Sequence, residues 1–156
     1  MGSEAIETIA LAAERAVTVA TAESLTGGKV CEALVEVPGA SHVVRGGVVA
    51  YAVEVKHDVL GVAQDVLDTL GPVSEPVALA MARGARRVLG ADFAVSTTGV
   101  AGPEPHGGQA PGTVVIAVAG PTHERVTTLH LEGDRDDVRR ESTRLALVEL
   151  RQALLA

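Results

Sequence analysis

The hydrophobic positions of this chain switch between a helical and an alternating or continuous period, and each switch marks an element boundary. Residues 3–16 carry Ile6, Ile9 and Ala13 at helical spacing behind acids in the first turn, which predicts an amphipathic helix. Val17-Thr18-Val19-Ala20 is short and β-branched and predicts a buried strand. A polar and glycine-rich stretch follows, Thr21-Ala22-Glu23-Ser24-Leu25-Thr26-Gly27-Gly28, and then a helix over 29–35 that stops before Pro38-Gly39. Residues 43–51 predict a second strand, with Gly46-Gly47 hinting at a bulge or a close neighbour. Two short helical pieces, 52–60 and 63–70, divide at Gly61. Ser74-Glu75-Pro76 opens a helix that runs to Leu89 and stops at Gly90. A third strand covers 93–97, and strands 113–119 and 125–131 form a hairpin around Gly120-Pro121-Thr122-His123. Between them, residues 99–112 hold five glycines and three prolines and predict a loop long enough to be functional. A last helix begins near Asp136, with Asp134 or Arg135 at its N-cap.

This order predicts one α/β domain over residues 1–156. Its expected architecture is a three-layer α/β/α sandwich with a mixed, mostly parallel sheet of about five strands. Composition agrees. Apolar residues make up 47% of the chain, yet there is one Tyr, one Phe and no Trp, so the core must be built from Ala, Val and Leu. A net charge of −7 with no Lys/Arg run argues against a nucleic-acid partner. No window is long and apolar enough for a membrane span, and no leader-like segment opens the chain, so a cytoplasmic location is expected. The one cysteine, Cys31, reads as a buried structural thiol.

Candidate chemistry gathers at one edge of the predicted sheet. A βαβ crossover makes the first two strands parallel, so their carboxyl ends share a side, where ligands of open α/β sheets sit. Ser24 and Tyr51 fall there, joined by Thr98 and Gly99 if the third strand runs the same way. Ser24 in a strand-to-helix turn exposes its hydroxyl beside helix-start N–H groups, as a nucleophile or an anion site requires; an ordinary N-cap has the same composition. Thr26, Gly27 and Gly28 would then supply backbone donors to an anion. Only two lysines occur, Lys29 and Lys56, against eleven arginines. Lysine can lose its proton when desolvated and arginine cannot, so Lys56, just past the second strand, is the candidate general base; a solvated helix lysine is the competing reading. Tyr51 equally fits a strand-end aromatic capping the core. Ser41 precedes the second strand and would lie about 25 Å from Tyr51 along a straight strand at ~3.3 Å per residue. It could reach this pocket only through a bend at Gly46-Gly47 or from a second subunit. Arg135 at the last helix start could clamp a phosphate. The five histidines are dispersed and no metal-ligand spacing occurs, so neither a metal nor a cofactor is expected.

With these residues assembled, the chain resembles the CinA C-terminal domain family, whose stand-alone members are nicotinamide mononucleotide (NMN) deamidases. The resemblance rests on the 21–28 stretch, Pro38-Gly39-Ala40-Ser41, Arg45 to Tyr51 with Lys56 after it, and Gly71-Pro72-Val73-Ser74. It continues through Thr98-Gly99-Val100-Ala101-Gly102-Pro103, Pro111-Gly112-Thr113-Val114 and Gly133-Asp134-Arg135. It implies a mixed-sheet α/β/α fold and a metal-independent amidohydrolase that converts NMN to nicotinic acid mononucleotide and ammonia. Ser24, Lys56 and Tyr51 would be its catalytic residues. Thr26, Gly27, Gly28, Ser41, Thr98, Gly99 and Arg135 would bind the substrate. Family members often have Cys and Ser where this chain has Leu25 and Ala40, which implies that neither side chain is needed chemically; the Pro103 to His106 segment also departs. The larger CinA proteins carry an N-terminal domain outside these 156 residues, so none of that domain's pyrophosphatase activity is implied. A homodimer is expected. The rival expectation is a nucleotide-binding or competence-related accessory protein without hydrolysis.

Overall fold

The computed structural model describes residues 2–156, and in it the small core residues decide how the layers pack. The elements are α1 (Ser3–Glu14), β1 (Val19–Glu23), α2 (Lys29–Val35), a 3-10 turn (Ala40–His42), β2 (Val44–Val49), α3 (Val53–Asp58) and α4 (Gln64–Leu70). They continue with α5 (Glu75–Leu89), β3 (Phe93–Gly99), β4 (Thr113–Ala119), β5 (Glu124–His130) and α6 (Arg135–Leu155). The sheet has five strands in the order β2-β1-β3-β4-β5. β1 runs parallel to β2 and β3, while β4 is antiparallel to both β3 and β5. Only β4 therefore opposes the others in direction, and the expected mixed, mostly parallel sheet is the one observed.

One sheet face carries Val19, Phe93, Val95, Ile116 and Val118 and packs under α1, α2 and α6. The other carries Ala20, Ala22, Ala94, Ala117 and Ala119 under α5. An alanine face lets α5 lie close, and Gly84 extends that economy of volume: a Cβ there would sit 2.1 Å from the Leu60 carbonyl oxygen. Bulk is absent because the gap between layers has no room for it.

Several boundaries moved, those of β1 and β3 for a tertiary reason. β1 starts at Val19 and runs through Glu23, because residues 21–23 pair on both sides, Thr21 with Gly47 and Val95, and Glu23 with Val49 and Thr97. Pairing in a central strand overrides the weak strand preference of Ala and Glu. β3 extends to Gly99 because Thr98 and Gly99 face Val115 and Val114 of β4. In α1 the buried face is Ala5, Thr8, Ile9 and Ala12; Ile6 is exposed, as is Ala13. Small residues there let α1 approach α6, and Thr8 Oγ1, which donates to the Glu4 carbonyl of its own helix (2.6 Å), comes within 3.4 Å of the Leu147 carbonyl. The hinted bulge is present, since the β1–β2 register skips Arg45. Ser74 caps α5 and Asp134 caps α6 with a full capping box. Cys31 is half-buried rather than buried, against Gly47. Among the described residues no helix is long and apolar enough to cross a membrane.

Candidate active site

The parallel strands β2, β1 and β3 end at Val49, Glu23 and Gly99 on one edge of the sheet, and each is followed by a residue of the site. Ser24 leaves β1 with its N–H donated to the Thr97 carbonyl of β3 (2.9 Å), which fixes the chain where its side chain must point outward. Beyond β2 the chain turns at Ala50 and Tyr51 into α3, which carries Lys56 inward. Lys56 is 1% exposed, the bulkiest fully buried side chain among the described residues. Its Nζ donates to the Ala50 carbonyl at 2.7 Å and lies 3.0 Å from Ser24 Oγ. Among the described residues no carboxylate pairs with the amine. Desolvation alone pulls its pKa down from 10.5 to about 8.

These two residues floor a cavity of about 640 Å³, walled by Leu25, Val53, Val73, Tyr51, the 98–106 segment and Arg135. Arg135, first residue of α6, spans its mouth and donates to the Gly102 carbonyl (2.8 Å) and the Tyr51 hydroxyl (3.3 Å). Thr98 and Gly99 line the wall. Thr98 Oγ1 donates to the Pro72 carbonyl at 2.6 Å, so its proton is committed to tying down the 71–73 segment and is not free to donate to an oxyanion. Tyr51 is 63% exposed and lies at the rim, and the direct Lys56–Ser24 contact leaves it no proton to relay.

The glycine turn differs most from expectation. The helix-start donors do not face the cavity but converge on Glu23, which is 1% exposed. Its Oε1 accepts from Thr26 Oγ1 (2.7 Å) and from the N–H groups of Gly28 (3.2 Å) and Val30 (2.9 Å). Its Oε2 accepts from Thr21 Oγ1 (3.1 Å) and Cys31 N–H (3.0 Å). Gly27 N–H goes to the Ser24 carbonyl. Thr26, Gly27 and Gly28 thus lie behind the site and not in its lining. Among the described residues the N–H groups of Leu25 and Thr26, directly after Ser24, have no acceptor. Glu23 was legible only as an acid at a strand exit a few residues ahead of a helix start. The Ala50 carbonyl, being main chain, left no signal at all. Ser41 sits in the 3-10 turn before β2, exposed and outside the cavity of its own chain, as the strand length required. Among the described residues no group of three or more His, Cys, Asp or Glu side chains is placed to hold a metal.

Fold and site together define an α/β/α domain with a cavity at the carboxyl edge of its sheet, built on a buried serine–lysine pair. The chain belongs to the CinA C-terminal domain family, which it matches over residues 3–154. A CinA-like protein of Anaeromyxobacter sp. (strain K) is 50% identical over 147 residues, covering 94% of this chain and 36% of that protein. One from Frankia casuarinae is 44% identical over 146 residues, covering 94% of this chain and 34% of the other. The chain therefore spans about a third of the length of these curated relatives. Among solved structures, the competence/damage inducible protein CihA of Agrobacterium tumefaciens superposes with a TM-score of 0.91 at 35% identity, covering 100% of this chain and 98% of that one. A CinA superfamily protein of Klebsiella pneumoniae gives a TM-score of 0.93 at 29% identity, covering 97% and 96%.

Proposed function

We propose that this domain is a serine amidohydrolase that converts NMN to nicotinic acid mononucleotide and ammonia. The observation that carries the reading is the buried Lys56 amine 3.0 Å from Ser24 Oγ with no carboxylate to hold its charge. A pKa of about 8 leaves roughly a tenth of the amine neutral at pH 7 and half at pH 8. In that form one N–H stays on the Ala50 carbonyl and the nitrogen lone pair faces the serine hydroxyl. The carbonyl thus orients the base, as a third group does in other nucleophile–base pairs.

Ser24 Oγ attacks the carboxamide carbon while its proton passes to Lys56 Nζ. The tetrahedral oxyanion collects the free N–H group of Leu25, which lines the cavity beside Ser24 and is worth on the order of 3 kcal/mol. The lysine proton then goes to the departing nitrogen, the C–N bond breaks, and ammonia leaves an acyl-enzyme. Water, deprotonated by the same amine, attacks the ester and restores Ser24. At the cavity mouth the Arg135 guanidinium and the N–H groups of Ala101 and Gly102, which have no acceptor among the described residues, provide for a phosphate. The reading needs no metal.

The test is ammonia release from NMN by the purified domain, with and without chelator, beside Ser24→Ala. Turnover that survives chelator and falls at least about 1,000-fold in Ser24→Ala is expected. Tight NMN binding without ammonia would replace the hydrolase with a nucleotide-binding protein.

A further inference from the structure

We infer that Glu23 is the positioning residue of the nucleophile, a buried carboxylate that fixes the turn carrying Ser24 and decides which of its backbone N–H groups remain free. The inference rests on Ser24 being that nucleophile. Seven residues of α2 would ordinarily leave their first N–H groups facing solvent or a ligand. Here Gly28, Val30 and Cys31 give theirs to Glu23, and the hydroxyls of Thr21 and Thr26 complete five donors on two oxygens. Thr26 also touches Thr97 Oγ1 at 2.7 Å, which ties the turn to β3.

The consequence is selective. With the helix-start donors consumed behind the site, the donor left in its lining beside Ser24 is the Leu25 N–H. The oxyanion that develops on the reacting carbon is thereby met by the donor beside Ser24 and not by the helix start, whose N–H groups are taken by Glu23. The main chain of the same residue serves the base: the Glu23 carbonyl accepts Ala50 N–H at 2.7 Å, and the Ala50 carbonyl holds Lys56. Glu23 therefore stands between nucleophile and base without touching either reacting atom. A carboxylate is required there. The amide of Gln would place N–H groups against two or three of the five donors.

The test uses a fluorophosphonate that labels reactive serines, followed by intact mass and peptide mapping, so that it depends on nucleophile placement and not on the identity of the natural substrate. Wild-type protein, Glu23→Gln and the near-isosteric Thr26→Val are labelled between pH 6 and 9.5. The expected result is labelling of Ser24 that slows about 100-fold in Glu23→Gln and about tenfold in Thr26→Val. The midpoint of the pH dependence should stay near 8, because Lys56 remains buried. A Glu23→Gln rate equal to wild type overturns the inference. So does a slow rate whose midpoint has climbed toward 10.5, which would mean that the whole site has opened to water. Should Glu23→Gln fail to fold, Thr26→Val decides on the same two readouts. Wild-type protein left unlabelled at Ser24 removes the nucleophile itself, and with it both the hydrolase reading and this one.

Discussion

Burying Lys56 has a thermodynamic signature that does not depend on any substrate. In the native state the amine loses its proton near pH 8; in the unfolded chain it does so near 10.5. Between those values the unfolded state binds the extra proton, so stability rises with pH across the window. Below pH 8 the native protein bears the full cost of a desolvated ammonium. The difference between the two pKa values corresponds to about 3 kcal/mol, of which about 2.5 is recovered between pH 7 and pH 10. Lys56→Met removes the titrating group while keeping most of the volume. It orphans the Ala50 carbonyl at about 1–3 kcal/mol, but that cost does not vary with pH.

The assay is urea unfolding of wild-type protein and Lys56→Met at half-unit steps from pH 7 to 10. The difference between the two stability curves should tilt by about 2.5 kcal/mol in favour of wild type as pH rises. The half-buried Cys31 thiol, whose pKa is raised by burial and by Glu23, titrates with the opposite sign and cancels in the difference. Activity should share the same midpoint, with kcat/KM rising about tenfold per pH unit below 8 and levelling above it. Curves that stay parallel within about 0.5 kcal/mol would place the amine in water and remove the physical basis of the serine–lysine chemistry.

Other consequences are narrower. Gly84→Ala should gain up to about 1 kcal/mol of helix propensity but lose about 2–3 from driving α5 off the Leu60 carbonyl, a net destabilisation readable by thermal unfolding. Gly47→Ala puts a methyl 2.3 Å from Thr21 Oγ1, a donor to Glu23, and should lower both stability and turnover, the latter measured by ammonia release. Arg135→Ala should raise KM for NMN about tenfold or more with kcat nearly unchanged; an equal effect on nicotinamide riboside, which has no phosphate, would show that Arg135 reads something else.

The layers of the fold were legible because local signals agreed with one another. Ser74-Glu75-Pro76 and Gly90 mark α5 unambiguously, and the hairpin glycine and proline separate β4 from β5. Where packing decides, the pattern misled: Ile6 outranks Ala5 and Thr8 on any hydrophobicity scale, yet α1 buries the small residues because α6 lies close. The site divides in the same way. Ser24 and Lys56 follow from chain topology and from what an amine can do that a guanidinium cannot. The use of the glycine turn does not, since a helix start with free N–H groups and one whose N–H groups are claimed by a neighbouring carboxylate have the same letters. Only Glu23, read as an acceptor and not as a surface acid, would have distinguished them.

That distinction between amine and guanidinium can be tested directly, because the chain itself sets the comparison. Eleven of its thirteen basic residues are arginine, and those on α5 and α6 donate to backbone carbonyls or meet acids at the surface. An arginine at position 56 would be charged at every accessible pH and would find two neutral oxygens and no carboxylate. Lys56→Arg should therefore be less stable than Lys56→Met by several kcal/mol, even though it preserves formal charge. It should be inactive at every pH, since no lone pair remains to take the serine proton. Urea unfolding and ammonia release measure the two halves separately. An active Lys56→Arg with an unaltered pH profile would mean that the group at position 56 acts through its charge, and that the base lies elsewhere.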